Sequence, residues 1–294
     1  MSDGNAQADI RGLDIDKLAK GFADEELVLK RFLQVSSTKA REMRWYQKTA
    51  GFLDSTSTTG ITTSQIANVA SKARPVVVEQ TWTRQTSYIR KYFVESPLLT
   101  VEDIKDTDVD ILATNVRDLV RAVSKQVEVR CYNVITENLS PSNIQTVAAT
   151  ADGWDDVTTG NPVLDLMEAR RLISVQSYNP EGAILYIHPT EHKNLLNYLI
   201  SVKGSSIPQF SSQAVKSGVV MHILGLQVVV SVNATTDYAL VFVPQRAATW
   251  KSFQPMTSVV VDEPMIGKKI RVSEQGECLL TDPKAVVLIT DTVV

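Results

Sequence analysis

Cysteine, histidine and aromatic residues are scarce in this chain of 294 residues, which has two Cys, three His and 6% Phe, Trp and Tyr. The two cysteines, Cys131 and Cys278, are far apart and form no C-x-x-C pair, so neither a disulfide framework nor a cysteine zinc site is indicated. They read as buried, reduced thiols in a protein assembled in the cytosol. Thirteen Gly and 11 Pro exclude a collagenous or low-complexity chain. No long hydrophobic run exists either. The longest, Val219 to Val232, is interrupted by His222 and Gln227 and is too short to span a bilayer. The opening MSDGNAQADIRGLDIDK bears acids and no apolar stretch, so no signal peptide is expected. A charge surplus is also missing. The net charge of −3 gives no bulk attraction to nucleic acid or to an anionic membrane. What remains is a soluble globular composition, 44% hydrophobic and 21% charged, long enough for one large domain or two ordinary ones.

Along the chain, residues 1–23 are polar and lack periodicity, as in an extended arm. A short helix is predicted from Asp24 to about Val35, with Leu27, Val28 and Phe32 on one face. Next, REMRWYQKTAGFL and RPVVVEQTWTRQTSYIRKYF have the β-branched and aromatic content of strands. The small, polar DSTSTTGITTSQIANVASK between them has the marks of a mobile loop. Together they predict a two-stranded arm with little core of its own, marginal in water unless it lies against another subunit.

From Thr107 to Leu139, the residues Val109, Leu112, Val116, Leu119, Val123, Val127, Cys131 and Ile135 recur at helical spacing, and acids crowd the start. Such a helix would be roughly 45 Å long, close to the ~50 Å diameter of a sphere made from the chain. It suits an elongated subunit with a spine. The second half alternates: a helix Pro162–Val175 capped by Asn161, a strand Gly182–His188 and a helix Pro189–Ser201. A polar stretch follows over 203–217, then VVMHIL and LQVVVSV hinged on Gly225, and a strand Tyr238–Val243. SVVVDE, KKIRVSE and KAVVLITD supply later strands.

This order of parts resembles the major capsid proteins of tailed phages and archaeal tailed viruses, with the Hong Kong 97-type shell fold shared with encapsulins. The resemblance covers nearly the whole chain. The extended loop is matched by REMRWYQKTAGFL through RQTSYIRKYF, and the spine by TDVDILATNVRDLVRAVSKQVEVRCYNVITENL. NPVLDLMEARRLISVQSYNPEGAILYIHPTEHKNLLNYL is similar to the helix, strand, His-Pro and helix of the axial domain, and GLQVVVS with YALVFVP to its next strand pair. It implies an α+β fold. The expected parts are an arm and short helix over 1–35, the extended loop over 36–95 and a peripheral domain with the spine over 96–150. An axial domain over 151–250 and strands over 251–294 partly returning to the peripheral domain complete them.

Some members weld subunits by a lysine–asparagine isopeptide bond. Lys48 and Lys72 stand where such a lysine could be, but no asparagine follows Asn233, so a noncovalent shell is expected. With about forty residues before the loop, a separate scaffolding protein or none is expected. The implied partners are copies of the chain itself, in pentamers and hexamers, with separate scaffolding, portal and decoration proteins as further candidates. Packaged double-stranded DNA would be held by weak nonspecific contact, and no membrane is involved. The implied location is the virion, assembled in the host cytoplasm.

Two segments invite a chemical reading. His188-Pro189-Thr190-Glu191-His192 spells H-x-x-E-H, an inverted zinc-protease signature that needs both histidines on one helical face. Pro189 favours an extended His188 and suits the first position of a helix, so a strand-to-helix junction is expected. WTRQTSYIRKYF interleaves bases and aromatics as single-strand nucleic-acid binders do. At near-neutral net charge it reads instead as a strand facing a neighbouring subunit. Gly267-Lys268 lacks the phosphate-loop spacing, and no G-x-S-x-G elbow occurs. The acids over 102–110 read as a helix start. The expectation is therefore a structural subunit of an icosahedral, DNA-filled head, not an enzyme, without cofactor or metal. Its inter-subunit contacts are expected at Arg44, Trp45, Trp82, Arg84, Arg90 and Lys91. An encapsulin-like compartment and a zinc metalloenzyme are the competing readings.

Overall fold

A computed structural model describes residues 28–50, 70–74, 81–100, 110–150, 153–156, 158–202 and 222–293. The predicted arm over 1–23 and the mobile loop between the arm strands (apart from 70–72) lie outside these residues. Two units divide the chain. The first comprises Met1–Glu42, Tyr88–Val134 and Thr249–Leu279; the second comprises Met43–Ser87, Ile135–Ala248 and Leu280–Val294.

In the first unit a 3-10 turn, Leu29–Phe32, leads into β1 (Gln34–Ser37). Helix was predicted as far as Val35, and the described part of that stretch corrects it. Pairing decides the matter: β1 runs parallel to a distant strand, with Gln34 opposite Thr249 and Ser37 opposite Ser252, and such tertiary contacts override a weak local preference. The arm strands β2 (Glu42–Ala50) and β3 (Thr81–Tyr88), which pair with each other, fall almost wholly in the second unit. The predicted second arm strand is in fact broken at Ile89. Beyond it, β4 (Arg90–Glu95) joins a different sheet. The short β5 (Leu99–Thr100) follows, and then α1 (Asp110–Ile135).

Helix α1 buries Val116, Val120, Val123, Val127, Cys131, Tyr132 and Ile135, the three-and-four spacing of a one-sided helix. The first unit's sheet runs β1–β11–β12–β4, with β5 also on β12. Here β11 is Ala248–Glu263 and β12 is Gly267–Leu280, two long strands where only the fragments SVVVDE and KKIRVSE were expected. Trp250 is fully buried, and Gly276 makes its place: a Cβ on Gly276 would stand 2.4 Å from the Trp250 ring.

The second unit holds a six-stranded sheet in the order β6–β13–β10–β7–β9–β8. Its members are β6 (Gln145–Ala148), β7 (Ile184–Ile187), β8 (His222–Ile223), β9 (Leu226–Val230), β10 (Tyr238–Phe242) and β13 (Val286–Thr290). β6 lies parallel to β13 and β7 parallel to β9, while β10 is antiparallel to both β13 and β7. Helices α2 (Pro162–Val175) and α3 (Pro189–Asn197) accompany it. α2 coincides with the predicted helix, since Asn161 accepts from the Leu164 N–H and Pro162 needs no donor there.

One core gathers Trp154, Leu166, Ile173, Leu185, Ile187, Leu195, Val241 and Ile289. Ile184, Tyr186, Leu240, Phe242 and Leu288, the alternate strand positions, are buried too, so the central strands are covered on both faces. This explains why they read as continuous apolar runs. Asp165, on the first turn of α2, is a buried hub. It accepts from the Thr150 N–H (3.0 Å), the Thr150 hydroxyl and the Trp154 indole N–H (2.8 Å).

Candidate subunit interface

The arm begins at a backbone bond: the Ile89 N–H donates to the Arg41 carbonyl at 2.9 Å. Beyond this bond β2 and β3 pair with each other along the arm. Alternation then sorts the side chains. On β2, Met43 and Gln47 are buried and Trp45 is half-buried, whereas Arg44 and Tyr46 are exposed. On β3, Gln85 and Ser87 are half-buried while Thr86 and Tyr88 are exposed, and Trp82, Thr83 and Arg84 are all exposed. The outward face of the arm is therefore built from Arg44, Tyr46, Trp82, Arg84 and their neighbours, with Trp82 at 52% exposure.

The inward face is tied down at one acceptor. The Trp45 indole N–H (2.9 Å) and the Gln47 amide (2.5 Å) both donate to the Leu280 carbonyl, the last residue of β12. The six residues singled out from sequence thus fall into two groups. Arg44, Trp82 and Arg84 lie together on the exposed face. Trp45 and Arg90 are engaged within their own chain: Trp45 holds Leu280, and Arg90 lies 3.1 Å from the fully buried Glu277 carboxylate. Lys91 is on β4, its ammonium 4.6 Å from the centre of the Phe93 ring. Tyr46 was missed, although the R-x-Y alternation of Arg44 and Tyr46 in a strand was enough to place it beside Arg44. Of the two lysines considered for cross-linking, Lys72 is exposed with φ of 72°, and Lys48 falls within β2.

In the first unit, charges are drawn into the sheet. Glu277 also accepts from Arg130 of α1 at 2.7 Å, and burial pushes its carboxyl up against the pull of Arg130 and Arg90. Glu274, equally buried, pairs with Lys30, whose ammonium sits 4.9 Å from the Trp250 ring centre. Next to Glu277, burial raises the Tyr92 phenol strongly. Breaking such a buried pair leaves an uncompensated charge, so these contacts join strand to helix.

The H-x-x-E-H segment is a junction. His188 has extended backbone (φ −75°, ψ 156°), and its Nδ1 accepts from the Thr190 N–H as the N-cap of α3, with Pro189 in the first turn. Buried Glu191 accepts from the Asp237 N–H at 2.8 Å, and burial pushes the His192 imidazole down. His188 therefore spends its ring nitrogen on capping, and His192 lies one turn further on. Among the described residues no three His, Cys, Asp or Glu gather as a metal site. No helix among them is long and apolar enough to cross a membrane.

A family model described as phage capsid protein matches residues 98–289. No curated protein matches the chain in sequence. Among solved structures, the fold is shared with a virus-like particle from Pyrococcus furiosus, at 15% identity and TM-score 0.62, over 95% of this chain and 99% of that one. The capsid of cyanophage P-SCSP1u matches at 12% identity and TM-score 0.64, over 88% and 86%. The mature capsid of bacteriophage PhiM1 matches at 11% identity and TM-score 0.58, over 87% and 84%.

Proposed function

The chain belongs to the phage capsid protein family, and on that premise we propose that it is the major subunit of an icosahedral head that encloses double-stranded DNA. Its work is done by surfaces. Copies form pentamers and hexamers, and the arm face of Arg44, Tyr46, Trp82 and Arg84 lies over a neighbouring copy. The observation that carries this reading is the family match over most of the chain, joined to an arm that exposes tryptophan, tyrosine and arginine, the residues that anchor interfaces. Fixing an arm residue costs about 1–2 kcal/mol of backbone entropy, which burial beneath or above a neighbour offsets. Arg90 and Lys91 are placed at a second contact on β4. Scaffolding, portal and decoration proteins are separate chains in this reading, and DNA is held loosely, as a net charge of −3 favours. The chain acts without catalysis, assembling in the host cytoplasm and residing in the virion.

In this reading the contacts between copies are noncovalent. An encapsulin-like compartment is not favoured, because the matching family is one of phage capsids.

The test is assembly. Wild-type chain should give closed shells by negative-stain microscopy that run as monomer on a denaturing gel. Trp82→Ala with Arg84→Ala should leave the subunit's unfolding midpoint unchanged while shells are lost. Normal shells from that double variant would remove the arm from the interface, and a covalent ladder would overturn the noncovalent reading.

A further inference from the structure

The chain has only two cysteines, and the fold brings them together. Cys131 stands on the buried face of α1 and Cys278 on β12, both in the first unit. Both are free thiols, 0% and 2% exposed. One residue earlier on each element, Arg130 and Glu277 form an ion pair at 2.7 Å that spans 147 residues of sequence. Beside that pair the Cys131 thiol is hydrogen-bonded to Cys278. Lys30 and Glu274, themselves paired, lie close enough to act on the Cys131 sulfur.

A single buried cysteine is a small apolar filler. Here two meet across a helix and a strand, with no other cysteine in the chain. The neighbouring pair holds them in place, because sliding α1 along β12 would strand the buried Glu277 carboxylate without Arg130. We propose that Cys131 and Cys278 are a dithiol–disulfide site that staples α1 to β12, closed by hydrogen peroxide and reopened by a thiol reductant.

The chemistry balances within the site. One sulfur attacks the peroxide and takes one oxygen as the O–O bond breaks, giving a sulfenic acid and a first water. The second sulfur then displaces that hydroxyl, which leaves with the second thiol's proton as another water, and the S–S bond forms. The two thiols lose two electrons in all, and the peroxide is reduced to two waters. The sulfurs, already in contact, have only to close to about 2.05 Å. On reopening, two reductant thiols become a disulfide and return both protons.

Burial selects the oxidant. A bulky, charged disulfide does not reach sulfurs without exposed surface, whereas hydrogen peroxide is little larger than water. Contact with Cys278 and burial also push the Cys131 thiol up, so it stays protonated near neutrality and reacts slowly. The site therefore answers sustained oxidant rather than a brief pulse. Once closed, the bond restricts the unfolded chain over a long loop, which raises stability in the chain-entropy account.

The experiment treats the full chain with hydrogen peroxide and counts thiols with maleimide in denaturant. The count should fall from two to none, a peptide linking Cys131 to Cys278 should appear by mass spectrometry, and dithiothreitol should restore both thiols. The unfolding midpoint of the oxidised sample should drop on the order of 10 °C when dithiothreitol is added. Methionine oxidation does not contribute to that drop, since dithiothreitol leaves sulfoxides in place. Cys131→Ala should show no such drop. Two thiols that survive prolonged peroxide overturn the site, as do sulfinic or sulfonic acids without the linked peptide. A linked peptide joining two copies of the chain overturns it too, and so does a midpoint indifferent to dithiothreitol. Should Cys131→Ala fail to fold, the thiol count and linked peptide of the wild-type chain decide alone. The capsid reading needs no bond here, so failure of the staple leaves it intact.

Discussion

Glu137 shows how one carboxylate can organise a loop. Three consecutive residues, Glu137, Asn138 and Leu139, have positive φ just past α1. The Glu137 carboxylate reaches forward to accept from the Ser142 N–H (2.6 Å), the Asn143 N–H (2.8 Å) and the Asn143 amide (2.6 Å). Partial burial pushes its carboxyl up, but these donors outweigh that and hold it below the usual glutamate range. Because the folded value is depressed, the loop's contribution to stability is complete above the unfolded glutamate value and is lost as pH falls through the folded one. Glu137→Ala should therefore lower the unfolding midpoint at pH 7, with the gap from wild type closing as pH falls towards 3. A gap that stays constant with pH would show that the side chain acts by packing alone.

At the scale of elements, α2 is held to its surroundings by Asp165. Replacing this buried acceptor with alanine leaves the Trp154 indole N–H and the Thr150 N–H without their partner and should destabilise by about 3 kcal/mol in urea unfolding. A loss under about 1 kcal/mol would mean that neighbours supply other acceptors. The same helix shows what a sequence can reveal. Asn161 and Pro162 mark its start by local chemistry alone, so its limits were legible, as was the strand-to-helix turn at Pro189. β11 was not. Lys251, Gln254 and Pro255 interrupt its apolar pattern, yet Pro255 lies beyond Ser252, the last residue paired to β1, so its missing N–H costs no bond there. Pairing partners, which no local pattern contains, also turned the end of the predicted helix over 24–35 into β1. The arm face was half legible for the same reason. Composition marked Trp45 as an anchor, but only the bond to Leu280 shows that its indole is held by its own chain.

For the molecule as a whole, the arm's inward and outward faces divide the labour. Trp45 and Gln47 grip the subunit, and the opposite face is offered outward. The four tryptophans report on this division. Trp154 is buried in the second unit and Trp250 in the first, while Trp45 is half-buried and Trp82 is largely exposed. Intrinsic fluorescence should therefore contain one dominant long-wavelength emitter open to acrylamide in the free subunit, and Trp82→Phe should abolish it. On assembly that component should shift to the blue and escape the quencher, without any label. Emission that stays red and quenchable in closed shells would mean that Trp82 faces solvent there. The arrangement gives the chain a built-in optical gauge: one interior fluorophore for the folding of each unit and, under the proposed arm contact, one at the surface that would time the closing of the shell.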